Sequence, residues 1–198
     1  FRAGEKVAAV FRLRTGVVKT ALTDSDGNEQ VTGFHGPSEW VGLESLNAKT
    51  HVSDATVLDT ASVCVIPADA ILERIADSAD AARSLIELLG NHLTHKDVMH
   101  LSLARDNAEQ RMAAFLHELS ERQAKVGFDS DNIALPMTRG DIASYLALAV
   151  ETVSRLLSRM QRDGVLQVHR HHVEITDHGA LANLCKRGTS GLRSAEAG

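Results

Sequence analysis

Polar and charged side chains recur on one face of a predicted helix in the C-terminal third of the chain. Glu151, Ser154 and Arg155 are spaced by three and four residues, so they share one side of an α-helix. Arg155 can donate a pair of hydrogen bonds to a guanine, Glu151 can accept one from a cytosine amino group, and Ser154 can serve either role. We interpret this face as a reader of base edges in double-stranded DNA. Periodicity alone leaves an alternative open, the solvated polar face of an ordinary helix.

Charge distribution supports a nucleic-acid partner although the total charge does not. The chain has 21 Lys and Arg against 26 Asp and Glu, a net charge of −5, whereas phosphate neutralisation needs basic residues. Residues 139–170, however, hold five Arg against three acidic residues, a local formal charge of +2. We predict contacts with the DNA backbone from Thr138, Arg139, Thr152, Ser158, Arg159 and Arg170.

The predicted base-reading face needs a helix-turn-helix to position it. Thr138 is placed to cap a first helix, with Asp141 three residues on as a short capping box. A brief turn at 147–149 leads to a second helix at 150–162, which Gly164 ends. The apolar stripe of this second helix is formed by Val153, Leu156, Leu157 and Met160.

A β-hairpin is predicted directly after the second helix, with alternating strands at 165–168 and 172–175. Such a hairpin is typical of the wing of a winged helix, and it favours the DNA interpretation over an ordinary helix pair. His169, His171 and His172 in this hairpin suggest a metal site as the alternative. Neighbouring hairpin residues point to opposite faces and no fourth ligand is evident, so we expect contact with phosphates instead.

The first 67 residues alternate short β-branched runs with turn residues, a pattern typical of antiparallel strands. Runs at 17–22 and 63–66 are examples, and Asp26-Gly27 marks a tight hairpin. The chain is 43% hydrophobic and 24% charged, as in globular proteins, and no apolar run approaches the roughly 20 residues that span a bilayer. Two distant cysteines and no secretion signal predict reduced thiols and a cytoplasmic location.

These patterns predict an α+β chain with an N-terminal antiparallel β-roll, a long dimerisation helix and a C-terminal winged helix-turn-helix. Because the chain begins at Phe1 without an initiator Met, we expect the N-terminal segment of the native protein to be missing. The predicted limits are 1–67 for the β-roll, 68–106 for the dimerisation helix region, 107–185 for the DNA-binding domain with its leading helix, and 186–198 for a disordered tail.

Spacings of three and four residues predict a helix that pairs with a second copy of the chain. The predicted seam consists of Ile86, Leu89, Leu93, Lys96, His100 and Leu103. In a parallel dimer Lys96 brings like charges together in mid-seam and weakens the pairing. The alternative is a register shifted toward Leu85, His92 and Met99, with Lys96 directed outward. Both registers predict a homodimer.

The order of β-roll, long helix and winged helix resembles the cyclic AMP receptor protein superfamily over nearly the whole chain. The strings at 107–115 (NAEQRMAAF), 137–142 (MTRGDI) and 150–157 (VETVSRLL) look like its fumarate and nitrate reduction regulator branch. The resemblance implies a roll of the cyclic-nucleotide-binding jelly-roll type. It also implies that Glu151, Ser154 and Arg155 read the half-site TTGAT of an inverted repeat, as the matching residues of that branch do.

The resemblance bears on the effector as well. Nucleotide-binding members hold the cyclic phosphate with an Arg-Ser pair, where this chain reads His51-Val52-Ser53-Asp54. Since a carboxylate repels a phosphate and no Arg replaces the lost guanidinium, we expect that cyclic AMP is not the effector.

Oxygen-sensing members hold a 4Fe-4S cluster with three N-terminal cysteines and one in the roll. Cys64, followed by Val65-Ile66-Pro67, matches the fourth ligand, and the others would precede Phe1. We therefore expect a cluster in the full-length protein and none in this chain, with Lys96 as the element through which cluster binding controls dimerisation. The alternative for Cys64 is a small buried hydrophobe, and Cys185 matches no ligand.

The hairpin at 23–30 is similar to the loop that such activators present to RNA polymerase, although a solvated turn fits it equally. The candidate contacts are Asp24, Asp26, Gly27 and Glu29. The predicted function is oxygen-responsive transcription regulation. Alternatives are a haem-based sensor of nitric oxide or a cofactor-free regulator of the same superfamily, or a cyclic-nucleotide-binding module. We expect no enzyme, since no nucleophile, base and orienting acid share a motif, and no membrane partner.

Overall fold

The computed structural model describes residues 1–170 and 172–186. Their contacts divide them into two compact units. The first comprises Phe1–Asp97 with Pro136–Tyr145, and the second comprises Val98–Leu135 with the chain from Leu146 onward. The domain limits drawn from the sequence stay a prediction. Lys186, the first residue of the predicted tail, is helical, and the rest of that tail lies outside the described residues.

Two antiparallel three-stranded sheets form the β-roll of the first unit. The strands are β1 (Ala9–Thr15), β2 (Val18–Thr23), β3 (Glu29–His35), β4 (Trp40–Val41), β5 (Asp54–Val57) and β6 (Ser62–Pro67). One sheet has the order β4-β1-β6 and the other β3-β2-β5. The predicted hairpin joins β2 to β3, and its Gly27 has φ +83°, a left-handed conformation that glycine adopts without steric cost. Leu13, Val18 and Val41 pack together in the core.

Two helices follow the roll, α1 (Ala68–Asp77) and α2 (Ala79–Arg105). The change to helical periodicity at Ala68 and the long helix through the predicted seam are confirmed. The helices are separated at Ser78, whose extended backbone (φ −143°) interrupts them and whose Oγ accepts a hydrogen bond from the amide of Ala81. Among the described residues, no helix is long and apolar enough to cross a membrane.

The chain from Ala108 onward contains the predicted winged helix-turn-helix, and with it the predicted fold class is confirmed. Its elements are α3 (Ala108–Lys125), β7 (Asn132–Ala134), α4 (Arg139–Leu146), α5 (Val150–Arg162), β8 (Leu166–Val168), β9 (His172–Ile175) and α6 (His178–Lys186). The strands form one antiparallel sheet in the order β7-β9-β8. Strand β7 and helix α6 were not predicted.

The core of the second unit is built from the apolar sides of its helices and its sheet. Asn107 caps α3 by accepting from the amides of Glu109 and Gln110, and the Gln110 side chain accepts from the Asn107 amide, which completes a capping box. The fully buried side chains include Met112, Leu116, Ile133, Val153, Met160, Leu166, Val173 and Leu181. This core holds α5 by one face and leaves the other in solvent.

Candidate nucleic-acid interface

Helix α5 has the two faces that its sequence predicts. Val153 and Leu157 of the apolar stripe are 0% and 2% exposed, and Leu156 and Met160 are also buried. The predicted base-reading residues Glu151, Ser154 and Arg155 are all exposed. The side chains that can hydrogen-bond to a base therefore lie together, outside the packed core.

The side chains predicted to read bases are available for an external partner. Among the described residues, neither Glu151 nor Arg155 has an ion-pair or hydrogen-bond partner for its side chain. The Ser154 hydroxyl donates to the carbonyl of Val150 at 3.2 Å. Its proton is thus used within the helix, and its lone pairs can accept from an adenine or cytosine amino group.

The residues of α5 that are predicted to contact the DNA backbone differ in how accessible they are to a phosphate. Arg159 is half exposed, and its guanidinium lies 3.5 Å from the Glu109 carboxylate and 3.7 Å from that of Asp163. Ser158 is exposed and donates to the Ser154 carbonyl, whereas Thr152 is only partly exposed. Two carboxylates therefore compete with a phosphate for Arg159, although part of its guanidinium stays exposed.

The wing follows α5 and is fixed to its end, because the Gln161 side chain accepts from the Val168 amide at 2.9 Å. Arg170 at the tip is exposed, and His171 lies outside the described residues. The rings of His169 and His172 stack at 4.3 Å. Within the described part of the chain, no group of three or more His, Cys, Asp or Glu residues is arranged to hold a metal ion.

Helix α4 begins with the predicted cap. The Thr138 hydroxyl accepts from the Asp141 amide at 3.0 Å, and the Asp141 carboxylate accepts from the Thr138 amide at 2.9 Å. These reciprocal bonds confirm the short capping box. Arg139, a predicted backbone contact, is partly buried, and this burial lowers the pKa of its guanidinium.

An ion-pair cluster in the first unit, which no sequence pattern indicates, joins the β2–β3 hairpin to α4. Lys19 donates to Asp141 at 2.7 Å and to Glu29 at 2.6 Å. Burial disfavours the charge on Lys19, but its hydrogen bonds to these carboxylates outweigh that effect and raise its pKa. Burial likewise raises the pKa of Asp141, but hydrogen bonds from Lys19 and Thr138 lower it overall. The cluster is therefore charged at neutral pH.

Further contacts attach the same hairpin to α4. The Val31 amide donates to the Ser144 hydroxyl at 2.9 Å, and the Gln30 side chain donates to the Ser144 carbonyl. The rings of Phe34 and Tyr145 meet edge to face at 5.2 Å. The roll thus holds the first helix of the helix-turn-helix by polar and apolar contacts.

The predicted polymerase contacts lie at the hairpin end, where the side chains of Asp24 and Glu29 have partners within the chain. The Asp24 carboxylate accepts from the Asn28 side chain and from two amides of the turn, and these hydrogen bonds lower its pKa. Glu29 is paired with Lys19. Asp26 and Gly27 are exposed.

Helix α2 presents the predicted dimer seam to solvent. Ile86 is 69% exposed and Leu93 63%, and His100 is also exposed, while Lys96 and Leu103 are partly buried. Among the described residues, no side chain of α2 is buried within the single chain. In the part of the chain that the structure describes, nothing buries the most exposed apolar residues of this 27-residue helix, Ile86 and Leu93.

The two cysteines lie in different settings. Cys64 is exposed on β6, an edge strand paired only with β1 in its sheet, so the interpretation of this residue as a buried hydrophobe is wrong. Cys185 is partly buried in α6, and burial raises the pKa of its thiol to about 11. Only Cys64 is placed to react or to bind a metal from solvent.

Residues 51–54, which stand where nucleotide-binding members have the Arg-Ser pair, make contacts within the chain. His51 is 4% exposed, stacks on Phe1 at 3.7 Å, and has a pKa lowered by burial. The Ser53 hydroxyl donates to Glu44, and Asp54 accepts from the Ala3 amide. A groove that includes Asp54 is also lined by Arg2, Glu5 and Glu29.

Comparison with known protein families gives two matches that together span most of the chain. The profile of the Crp-like helix-turn-helix domain matches residues 110–184. The profile of the Cyclic nucleotide-binding domain matches residues 1–78. The matched ranges contain the recognition helix and the β-roll described above.

Individual proteins are similar over nearly the whole chain. The Anaerobic regulatory protein of Haemophilus influenzae is 40% identical over 93% of this chain and 72% of that protein. The Fumarate and nitrate reduction regulatory protein of Escherichia coli (strain K12) is 37% identical over 93% of this chain and 74% of that protein. The structure of FixK2 from Bradyrhizobium japonicum matches with a TM-score of 0.84 and 31% identity, covering 93% of this chain and 90% of that structure.

Proposed function

Because the chain belongs to the CRP/FNR family of transcription regulators, we propose that it binds DNA as a homodimer and reads an inverted repeat of TTGAT half-sites with Glu151, Ser154 and Arg155. The observation that carries this proposal is the exposed face of α5, on which the side chains of Glu151 and Arg155 have no hydrogen-bond or ion-pair partner in the described part of the chain. A carboxylate facing DNA is repelled by phosphates, so Glu151 is useful there only when it accepts from a base. Thr138, Arg139, Thr152, Ser158, Arg159 and Arg170 supply contacts with the backbone.

Dimerisation through the seam on α2 is part of the proposal, because the apolar residues of that seam are exposed. Pairing two copies through this helix would bury the apolar stripe, and a two-fold-symmetric dimer carries two copies of α5, which matches the symmetry of an inverted repeat. The exposed hairpin residues Asp26 and Gly27, with Asp24 and Glu29, form the surface for RNA polymerase in this proposal.

The signal is proposed to be oxygen, since the relatives include proteins named for anaerobic regulation. A 4Fe-4S cluster takes four thiolates, and this chain has two cysteines of which one is exposed, so its described residues do not hold a cluster by themselves. Cys64 is the residue that would supply one ligand in the full-length protein. Cyclic AMP is not the proposed effector, because three carboxylates, those of Glu5, Glu29 and Asp54, outnumber the one guanidinium, that of Arg2, in the lining of the groove and oppose a cyclic phosphate.

Binding to defined duplexes tests the proposed function. We expect the protein to bind a duplex carrying two TTGAT half-sites in inverted repeat at least 1000-fold more tightly than a scrambled duplex of equal length, which is about the lower end for specific DNA binding. The measurement is fluorescence anisotropy at a fixed salt concentration, because phosphate contacts make both affinities salt-dependent. Equal affinities for the two duplexes would contradict the proposal.

The exposed thiol gives a second prediction. We expect iodoacetamide at pH 8 to alkylate Cys64 at least about tenfold faster than Cys185, because the Cys64 side chain is exposed while burial keeps Cys185 protonated. Mass spectrometry of peptides after timed quenching measures both rates. Cys64→Ser removes the fast phase, and Cys185→Ser is the matched control that leaves it. Equal rates would show that Cys64 is shielded and unsuited to bind a cluster from solvent.

A further inference from the structure

The string at 107–115 matches the family but contains no residue of the base-reading face. Two of its side chains nevertheless contact the helix-turn-helix. The Arg111 guanidinium donates through Nη1 to the carbonyl of Leu146 at 2.7 Å and to that of Ala147 at 3.4 Å. The Glu109 carboxylate lies 3.5 Å from Arg159 in the last turn of α5. Residues two apart point away from each other on a helix, so the first turn of α3 reaches two separate places.

The turn that Arg111 contacts is a strained one. Ala147 has φ +51°, in the left-handed region that residues other than glycine rarely occupy. The carbonyl of Leu146 belongs to the end of α4, where helix carbonyls lack intrahelical partners and a cation is favourable. The guanidinium therefore satisfies the carbonyls that this backbone conformation exposes.

Among the described residues, no side chain caps the start of α5. Its N-cap residue, Ala149, has no side chain that can accept a hydrogen bond, and only backbone bonds from Thr152 and Val153 reach its carbonyl. Arg111 is partly buried, and its Nε atom has no partner among the described residues, so the side chain leaves one donor unsatisfied while Nη1 reaches the turn.

We infer that Arg111 is a positioning residue for base recognition: it holds the turn at Leu146 and Ala147 and so fixes where α5 begins, while Glu109 restrains the far end through Arg159. The inference rests on the proposed reading of bases by α5. Hydrogen bonds to base edges tolerate only small displacements, so a loosened turn costs sequence discrimination more than it costs the phosphate contacts.

The test compares variants on the inverted-repeat and scrambled duplexes. We expect Arg111→Ala to weaken binding to the inverted repeat about tenfold. On the scrambled duplex it should change no more than Lys125→Ala, an exposed charge-matched control at the end of α3. Ala147→Gly should restore most of the loss in the Arg111→Ala background, since glycine adopts the left-handed conformation without a clamp, and should change little alone.

Arg111→Lys keeps the positive charge without the planar fork, and it should lose a few-fold on the inverted repeat alone. A melting curve shows whether Arg111→Ala folds. If it does not fold, Arg111→Lys tests the inference in its place. Equal losses on both duplexes, no loss in a folded variant, or no rescue by Ala147→Gly would each overturn the inference. If the unsubstituted protein fails to prefer the inverted repeat, the proposed function fails instead.

Discussion

Replacing Arg155 by alanine is expected to weaken binding to the inverted-repeat duplex by about 1–3 kcal/mol per half-site while leaving scrambled DNA nearly unaffected. Arg155 is exposed on α5 and has no internal partner among the described residues, so its removal costs the folded protein no contact. What is lost is the pair of hydrogen bonds to a guanine. Anisotropy titrations with both duplexes measure the two changes separately.

Arg162→Ala is the matched control for this prediction. Arg162 carries the same charge on the same helix and is exposed, but it lies in the last turn, away from the N-terminal end at which recognition helices meet bases. Its loss should weaken both duplexes by a similar, small factor. If Arg155→Ala also weakens both duplexes equally, Arg155 is a phosphate contact and does not read a base.

A base substitution adds independent evidence. When the guanine of each TTGAT half-site is replaced, binding of the unsubstituted protein should fall by about 1–3 kcal/mol per half-site. The affinity of the Arg155→Ala variant should not change with this replacement, because the side chain proposed to distinguish guanine is absent. A variant that still prefers the original base would show that another residue reads it.

The two faces of α5, one buried and apolar and one exposed and polar, could be predicted because the sequence signal is local. Helical periodicity separates Val153 and Leu157 from Glu151 and Arg155 within a single helix. The cap at Thr138 indicates where α4 begins, and Gly164 indicates where α5 ends. Patterning of this kind depends on nearby residues only. The two faces can therefore be identified without knowing what packs against the helix.

Contacts between distant segments could not be predicted in the same way. Lys19 and Asp141 are 122 residues apart, and neither stands in a pattern that names the other. Arg111 binds backbone carbonyls, which every residue possesses, so no side chain in the turn identifies its partner. Strand β7 has three residues, too few for alternation to be recognised.

The dimer seam could be predicted only in part, because periodicity predicts a paired helix but does not determine the register of the pairing. Ile86 and Leu93 are strongly exposed, whereas Leu85 and Met99 of the alternative register are partly buried within the chain. Exposed apolar residues gain more from pairing than residues that are already partly covered. We therefore retain the seam through Leu93 as the dimer interface to be tested.

Leu93→Glu is expected to convert the protein from dimer to monomer and to weaken binding to the inverted repeat by about 100-fold or more. The substitution removes apolar burial and places two carboxylates opposite each other, and a monomer loses the advantage of occupying two half-sites at once. Sedimentation velocity measures the oligomeric state. Binding to a single half-site should be nearly unchanged, because α5 does not depend on the seam for its own packing.

Two further variants determine the register and the role of Lys96. Asn91→Glu, an exposed position on the other side of α2, adds the same charge and should leave the dimer intact. If Met99→Glu dissociates the dimer and Leu93→Glu does not, the shifted register is the correct one. In the retained register Lys96 opposes its own copy, so Lys96→Ala should strengthen dimerisation. An unchanged monomer–dimer equilibrium would remove Lys96 from the seam and from the proposed control of dimerisation.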